Sequence, residues 1–378
     1  MNVEREAPTL MMIAGVASGD THAARLAESL RAQCPGVKLF GAGGPKMKAA
    51  GVELLFDLTE HAVVGLTEVL AHYPKIRRLF WTLVRAVEER RPDAVILTDY
   101  PGFNLRFAKQ MKARGIPVFY FISPQVWAWA PWRARKFPKL MDLLMVIFRF
   151  EKEFYAQRLP ALHVEFVGNP VVEQLRQEPR VTQREPGLVA LLPGSRRSEV
   201  ERLLPVMAAT ARLLARQQPG VRFEMAAATE PVAALARSLV GDAPVAIGVG
   251  GAHELMQRAA AGMVAAGTAT LESACFGLPH VIVYRFSRLT WLVFQFVKNI
   301  ERVGIVNIVA GREIVPEFVQ GRAQPEALAV AVGALLGDAA RREQMQRELA
   351  EVVKSLEAED VAGRAARAVL AKLVAMKS

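Results

Sequence analysis

Apolar residues along this chain fall into short continuous runs, separated by longer segments whose apolar positions recur at helical spacing. The runs Thr9–Ala14, Val37–Phe40, Ala94–Thr98, Val118–Ile122, Leu143–Phe148 and His163–Val167 predict strands. Helical segments lie between them, the first from Thr21 to about Ala32. Strands that are apolar at nearly every position are covered on both faces, so strand–helix alternation predicts parallel sheets. Over Glu173–Gly187 (EQLRQEPRVTQREPG) the pattern stops, and this polar stretch reads as an interdomain linker. The alternation resumes with Leu188–Leu192, Val221–Ala226, Pro244–Ile247, Gly262–Ala265 and Pro279–Val283, and from Gln324 onward the chain is helical. The expected fold class is α/β, with two Rossmann-like, doubly wound parallel-sheet domains and a ligand cleft between them at the C-terminal ends of the strands. The expected division is a first domain over 1–172, a linker over 173–187, a second domain over 188–323, and helices over 324–378 that pack on the first domain or elsewhere.

Length and composition narrow the class. At 378 residues the chain suits two domains at a prior of about 150 residues each. Hydrophobic residues make up 52% and charged residues 22%, which excludes disordered, collagenous and disulfide-scaffold classes. Cys34 and Cys275 stand far apart with no Cys/His cluster, so a reducing compartment and no structural zinc are expected. The acidic start, with Glu4 and Glu6, does not suit a secretory signal. Ala259–Tyr284 carries one formal charge, Glu272, but Gly262, Gly267, Gly277 and Pro279 cut it into strand-sized pieces, so it reads as buried core. A formal charge of +11 then points to nucleic acid, an anionic membrane surface or phosphorylated substrates.

Candidate chemistry sits at the strand ends. GxxxxGK[ST], complete GxGxxG, HExxH and GxSxG are all missing. Leu191-Leu192-Pro193-Gly194-Ser195-Arg196 runs from a strand through a tight turn into a helix, and Ser195 and Arg196 stand where a helix N-terminus would receive an anion. The competing reading is a plain turn with a capping serine. Gly267-Thr268-Ala269-Thr270-Leu271-Glu272 repeats the arrangement: Thr268 can cap, and Glu272 can accept both hydroxyls of a ribose or merely complement the helix dipole. Two such turns in one half suit a diphosphate nucleotide. In the first half, Asp99 directly follows a buried strand and can take a proton from a substrate hydroxyl, or serve as an Asx turn before Pro101. Ser18-Gly19-Asp20 either binds substrate or caps the helix from Thr21. The loop SPQVWAWAPWR places Trp127, Trp129 and Trp132 together, as a sugar or acyl platform or as a plug over the core. Lys75–Arg91 is a basic amphipathic segment with Phe80 and Trp81, suited to a core-facing helix or to the headgroup zone of a membrane. Arg288–Lys298 has the same character. The cations form no recognisable nucleic-acid-binding module, so nucleic acid is not an expected partner.

These residues, taken together, resemble the lipid-A-disaccharide synthase family. The shared set is AG-x-x-SGD (14–20), G-x-GGP-x-M (41–47), VGLTEVL (64–70), D-x-P-x-FN (99–104), SP-x-VWAW (123–129), LLPGSR-x-x-EVE (191–201), G-x-x-x-LE (267–272) and N-x-x-AGRE (307–313). The resemblance implies a GT-B, inverting glycosyltransferase at the cytoplasmic face of the inner membrane, with no metal and no other cofactor. It implies transfer of diacylglucosamine from UDP-2,3-diacylglucosamine to the 6-hydroxyl of 2,3-diacylglucosamine 1-phosphate. The product is the β-1,6 lipid A disaccharide 1-phosphate, and UDP leaves. It further implies Asp99 as general base, with Ser18, Gly19, Asp20, Asn104 and Trp127 on the acceptor side. On the donor side it implies Gly194, Ser195, Arg196, Glu199, Gly267, Thr268, Glu272 and Asn307. An anionic lipid surface is an implied partner, and a homodimer is left open. The chain departs from the family at Val16, where Glu is usual, at Asn169, where His is frequent, and at Val306, where Pro is usual. Competing readings are another GT-B UDP-sugar enzyme, of the UDP-GlcNAc 2-epimerase or peptidoglycan glycosyltransferase type, and a non-catalytic membrane-adhering nucleotide-binding protein.

Overall fold

The computed structural model describes residues 7–61, 66–180, 183–286 and 302–377. The chain forms two compact units, Met1–Pro170 with Ala358–Ser378, and Val171–Glu357. The segment Arg288–Lys298 lies outside the described residues.

The first unit carries strands β1 (Thr9–Ala14), β2 (Lys38–Gly43), β3 (Glu53–Asp57), β4 (Ala94–Thr98), β5 (Val118–Phe121), β6 (Leu143–Val146) and β7 (Val164–Phe166). All pairings are parallel, in the order β3-β2-β1-β4-β5-β6-β7. The period of two is explicit in the packing. Leu10, Met12, Ala14, Ala94 and Ile96 join one apolar cluster, whereas Met11, Ile13, Val95 and Leu97 join the other. Helices α1 (Ala17–Gln33), α2 (Pro45–Ala49), α3 (Leu66–Arg90), α4 (Pro101–Ala113), α5 (Val126–Trp129) and α6 (Arg149–Arg158) follow their strands. Leu26, Ala27 and Leu30 of α1 cover the first face. Leu83 and Val87 of α3 cover the second, with Phe103, Phe107 and Met111 of α4. β3 has no counterpart among the expected strands. Its residues Leu54, Leu55 and Phe56 are only partly buried at the sheet edge, so no continuous apolar run marks it.

The second unit opens with α7, whose span is Pro170–Arg176. It then carries β8 (Glu185–Leu192), α8 (Arg197–Gln217), β9 (Arg222–Ala227), α9 (Glu230–Val240), β10 (Val245–Val249), α10 (Ala252–Arg258), β11 (Ala259–Ala265), α11 (Thr268–Cys275), β12 (His280–Tyr284), α12 (Ile305–Ala310), β13 (Glu317–Val319), α13 (Pro325–Gly337) and α14 (Ala339–Leu356). Its parallel sheet runs β10-β9-β8-β11-β12-β13. The last helix, α15 (Val361–Lys377), belongs to the first unit. There Val361, Ala365, Ala366, Val369 and Leu373 pack into the α1 face of the sheet.

The stretch 173–187 differs from the linker expected of it. Its start completes α7 and its end begins β8. Its polarity is used in hydrogen bonding. The Arg184 guanidinium donates to the carbonyls of Met256, Gln257 and Ala259 at the end of α10, and to Phe276 just past α11. Arg180 donates to Cys275 O at 2.9 Å. Cations at helix C-termini satisfy orphan carbonyls and oppose the negative end of the dipole, so these arginines stitch the unit rather than solvate a tether. Burial pushes Arg184 down to about 10.

His280 opens β12 fully buried, with Nδ1 2.8 Å from Leu278 O and no partner for Nε2. Burial lowers its pKa from 6.5 to about 4. The unfolded chain therefore binds a proton between those values that the folded chain refuses, so stability is complete above pH 6.5 and falls on acidification through that window. At ~1.4 kcal/mol per unit this amounts to roughly 3 kcal/mol by pH 4. Thermal melts of His280→Leu should show a shallower loss of Tm between pH 6.5 and 4 than the unaltered protein; parallel profiles would contradict it.

Candidate active site

In a doubly wound sheet the ligand crevice opens at the carboxyl ends of the strands where the strand order reverses. In the first unit that point lies between β1 and β4, and in the second between β8 and β11. The turns predicted to carry chemistry occupy these positions.

In the first unit, β4 ends at Thr98 and Asp99 follows directly. Asp99 and Tyr100 both adopt left-handed backbone, with φ of 48° and 46°. Two successive non-glycine residues there cost about 1–2 kcal/mol each. Pro101 then fits the first position of α4, where its missing N–H is not needed. The Asp99 carboxyl is largely buried, and desolvation raises its pKa from the ordinary aspartate value, opposed by the backbone N–H of Tyr100. The Tyr100 ring lies against Gly15 in the β1–α1 turn, so closely that a Cβ at position 15 would overlap Tyr100 Cδ1. That contact ties the two switch-point turns together.

The other first-unit candidates divide. Ser18 is exposed in the first turn of α1, which starts at Ala17 rather than Thr21, and Gly19 is buried beside it. Asp20 is not a cap of its own helix. Its carboxylate accepts N–H groups of Gly44 (2.7 Å), Lys46 (3.0 Å) and Met47 (3.1 Å), which caps α2. Asn104 is fully buried, and its amide donates to the carbonyls of Thr98 and Asp99. Trp127 is 6% exposed, and its indole N–H donates to Glu151 Oε1 at 3.0 Å. Glu151 also caps α6 through the N–H of Phe148, and burial raises its pKa to about 7. Asp20, Asn104 and Trp127 therefore shape their turns, although Asn104 Oδ1 is buried with no partner among the described residues. Among the described side chains of that loop, which do not include that of Trp129, Trp132 is exposed, beside exposed Arg133, Arg135, Lys136 and Lys139 on a 3-10 turn anchored by Ala134 and Phe137.

In the second unit, Gly194 has φ of 106°, and a Cβ there would strike the Glu199 carboxylate. Glu199 folds back so that Oε2 accepts the Arg196 N–H at 3.3 Å, an N3 cap of α8. Ser195 and Arg196 remain exposed. Across the switch point, Gly267 has φ of 127° with open space around its Cα, and Thr268 is exposed at the first position of α11. The Glu272 side chain is mostly buried and its carboxylate makes no hydrogen bond among the described residues; burial raises its pKa, while His253 lowers it. Tyr284 ends β12 within the field of Glu199, Arg202 and Arg196. A cavity of about 400 Å³ at this end is lined, among the described residues, by Arg202, Arg285, Phe286, Gln320, Gly321 and Gln324.

Asn307, expected on the donor side, is placed beside β13. It is 0% exposed, and its amide is fully spent: Nδ2 donates to Val315 O (2.7 Å) and Glu317 Oε1 (2.8 Å), and Oδ1 accepts from Ile314 N and Val315 N. Glu317 in turn accepts the N–H groups of Val303 and Gly304. The pair staples the approach to β13, and the sequence carries no periodic signal for it. Of the departures, Val16 is the N-cap of α1 without a side-chain bond, and Asn169 and Val306 are buried.

A sequence model of the lipid-A-disaccharide synthetase family matches residues 10–371. The chain belongs to the lipid-A-disaccharide synthase family. It is 40% identical over 373 residues to a lipid-A-disaccharide synthase of Myxococcus xanthus, covering 96% of this chain and 97% of that protein. It is also 40% identical to one of Syntrophus aciditrophicus, covering 94% and 96%. Among solved structures it is similar to the kitacinnamycin glycosyltransferase (TM-score 0.62, 15% identity, 97% and 99% covered). It is likewise similar to a UDP-GlcNAc 2-epimerase of Neisseria meningitidis bound to UDP-GlcNAc (TM-score 0.61, 14% identity, 98% and 100% covered). At those identities the structures show the fold alone, which is GT-B. The family assignment favours the synthase over the epimerase and non-catalytic readings.

If Asn307 is a staple rather than a ligand, Asn307→Ala should lower Tm markedly, by the equivalent of about 2–4 kcal/mol, because Glu317 and two backbone N–H groups lose partners in the interior. UDP affinity measured well below the melting range should stay within about threefold; a large affinity loss at unchanged Tm would restore the ligand role.

Proposed function

We propose that the chain condenses UDP-2,3-diacylglucosamine with 2,3-diacylglucosamine 1-phosphate, giving the β-1,6 disaccharide 1-phosphate and UDP. The observation that carries this reading is the placement of the family's motifs at both strand-order reversals, one bearing a desolvated carboxyl and the other two anion-suited helix starts.

The donor chemistry falls to the second unit. The diphosphate is assigned to the starts of α8 and α11, where unpaired N–H groups and the exposed Ser195, Arg196 and Thr268 can meet it. Gly194 and Gly267 supply the backbone turns, and Glu199 holds the first in shape. Glu272 is assigned to the ribose hydroxyls, for which its unpaired carboxylate oxygens are suited. As the sugar C1–oxygen bond breaks, its electron pair stays on the β-phosphate, and Arg196 with the helix termini offsets that charge. The acceptor chemistry falls to the first unit. Asp99 takes the proton of the acceptor 6-hydroxyl as that oxygen forms its bond to C1 from the opposite face, which inverts the configuration. Ser18 and Gly19 stand at the adjoining start of α1, Asn104 holds this turn, and Asp20 and Trp127 hold the starts of α2 and α6.

Substrates of this kind reside in membranes. No helix among the described residues is long and apolar enough to cross one. Lys75, Arg77, Arg78, Trp81 and Arg85 form an exposed stripe on α3, and Trp132 stands among cations, so these surfaces are assigned to an anionic lipid face.

Incubation with both acyl sugars and mass analysis for the disaccharide tests the reaction. Asp99→Asn should lower kcat by orders of magnitude with UDP affinity near that of the unaltered protein; near-normal turnover would remove Asp99. The acid limb of kcat/KM should lie higher than an ordinary aspartate would place it, because the base works only when ionised and burial raises its pKa. Arg196→Ala should weaken UDP binding and slow turnover together. Binding to anionic vesicles should fall as salt rises from low to physiological strength; salt-insensitive binding would oppose the electrostatic stripe.

A further inference from the structure

The peptide carbonyl of Asp99 accepts two hydrogen bonds at once, from Tyr120 Oη at 2.5 Å and from Asn104 Nδ2 at 2.7 Å. Both donors are fully buried. Tyr120 stands on β5, in register with Leu97 on β4, and Asn104 stands on the first turns of α4. Both lone pairs of one carbonyl are thus filled by fixed donors from two different elements. The same Asn104 amide also reaches Thr98 O at 3.2 Å. This is the carbonyl that the left-handed step at Asp99 and Tyr100 turns away from a regular ladder, while the Asp99 N–H still bonds Phe121 O.

The hydroxyl of Tyr120 needs an explanation. It sits in the run Val118-Phe119-Tyr120-Phe121, where every side chain is buried. Phenylalanine would fill that core position without a polar atom to desolvate. Burial holds the phenol proton tightly, with the negative Asp99 carboxylate adding to the effect. The bond that offsets this desolvation goes to the Asp99 carbonyl.

We propose that Tyr120, with Asn104, is a positioning residue for the reaction: its hydroxyl clamps the Asp99 peptide in the strained turn and so fixes the aim and the desolvation of the Asp99 carboxyl. This rests on Asp99 being the proton acceptor. Without the phenol, one of the two donors that offset two left-handed residues is gone, and the turn relaxes toward ordinary backbone. The carboxyl then gains water and loses alignment, and small misplacements of a catalytic group cost rate steeply.

The test compares Tyr120→Phe and Asp99→Asn in the full chain with both acyl-sugar substrates. Tyr120→Phe should lower kcat by roughly tenfold or more. KM for either substrate and UDP affinity should stay within about twofold, and Tm should not fall. The acid limb of its pH–rate profile should move to lower pH, as a better-solvated carboxyl ionises more readily. An unchanged kcat and an unmoved acid limb in Tyr120→Phe, beside an inactive Asp99→Asn, would overturn the clamp while leaving the base in place. A rate loss accompanied by lower Tm and an unmoved acid limb would reduce Tyr120 to ordinary packing and overturn it as well. Full activity in Asp99→Asn would remove the base itself, and the clamp with it.

Discussion

Every strand pairing in both sheets is parallel, and parallel strands cannot be joined by tight hairpins. Each connection must cross over a face, and where successive crossovers change direction the turns at the strand ends diverge. Nearly everything functional in this molecule follows from that geometric constraint. The β1/β4 and β8/β11 reversals are the points at which a turn can leave backbone N–H groups and short side chains exposed to a ligand. The surrounding helices stay packed on Val-, Leu- and Met-rich strands. The carboxyl at position 99 and the anion-suited starts of α8 and α11 occur in unrelated stretches of sequence but at equivalent topological addresses.

The polar residues around these turns share a common habit: they hold backbone. Asp20 binds three N–H groups of the β2–α2 connection, Asn307 binds four groups around β13, and Glu151 binds the N–H of Phe148 and the Trp127 indole. A buried carboxylate or amide surrounded by donors is costly to place and more costly to disturb, so it defines one turn geometry. The groups left exposed or unpaired, namely Ser18, Ser195, Arg196, Thr268 and Glu272, are few and stand on rigid supports. Preorganisation of that kind suits a reaction in which charge moves onto a departing diphosphate.

The strands with continuous apolar runs, such as Ala94–Thr98 and Leu188–Leu192, were legible in the sequence because burial on both faces leaves a plain signature. Short or half-exposed edge strands leave none, which is why Glu53–Asp57 and Glu317–Val319 emerge only in three dimensions. The polar stretch 173–187 imitates a tether because arginine and glutamate look alike in a hydropathy pattern whether they meet water or helix ends. The glycine–serine–arginine and glycine–threonine turns were readable, since few residues tolerate those backbone angles. The division between ligand groups and turn-holding groups was not readable. Asn307 and Trp127 spend their side chains on backbone or on Glu151, and their residue types alone do not announce that. Tyr120 carried one faint signal, a lone hydroxyl in an otherwise apolar strand.

The last helix has a consequence for synthesis on the ribosome. The α1 face of the first sheet is finished by Val361–Lys377, and Lys377 pairs with Asp93 at 2.6 Å. The second unit is built from one uninterrupted stretch, Val171–Glu357. Vectorial emergence would therefore let the later lobe close while the earlier one still waits, its flank bare, for the codons of Val361–Lys377 to be translated. A chain broken off before Val361 would leave unfinished the lobe encoded first.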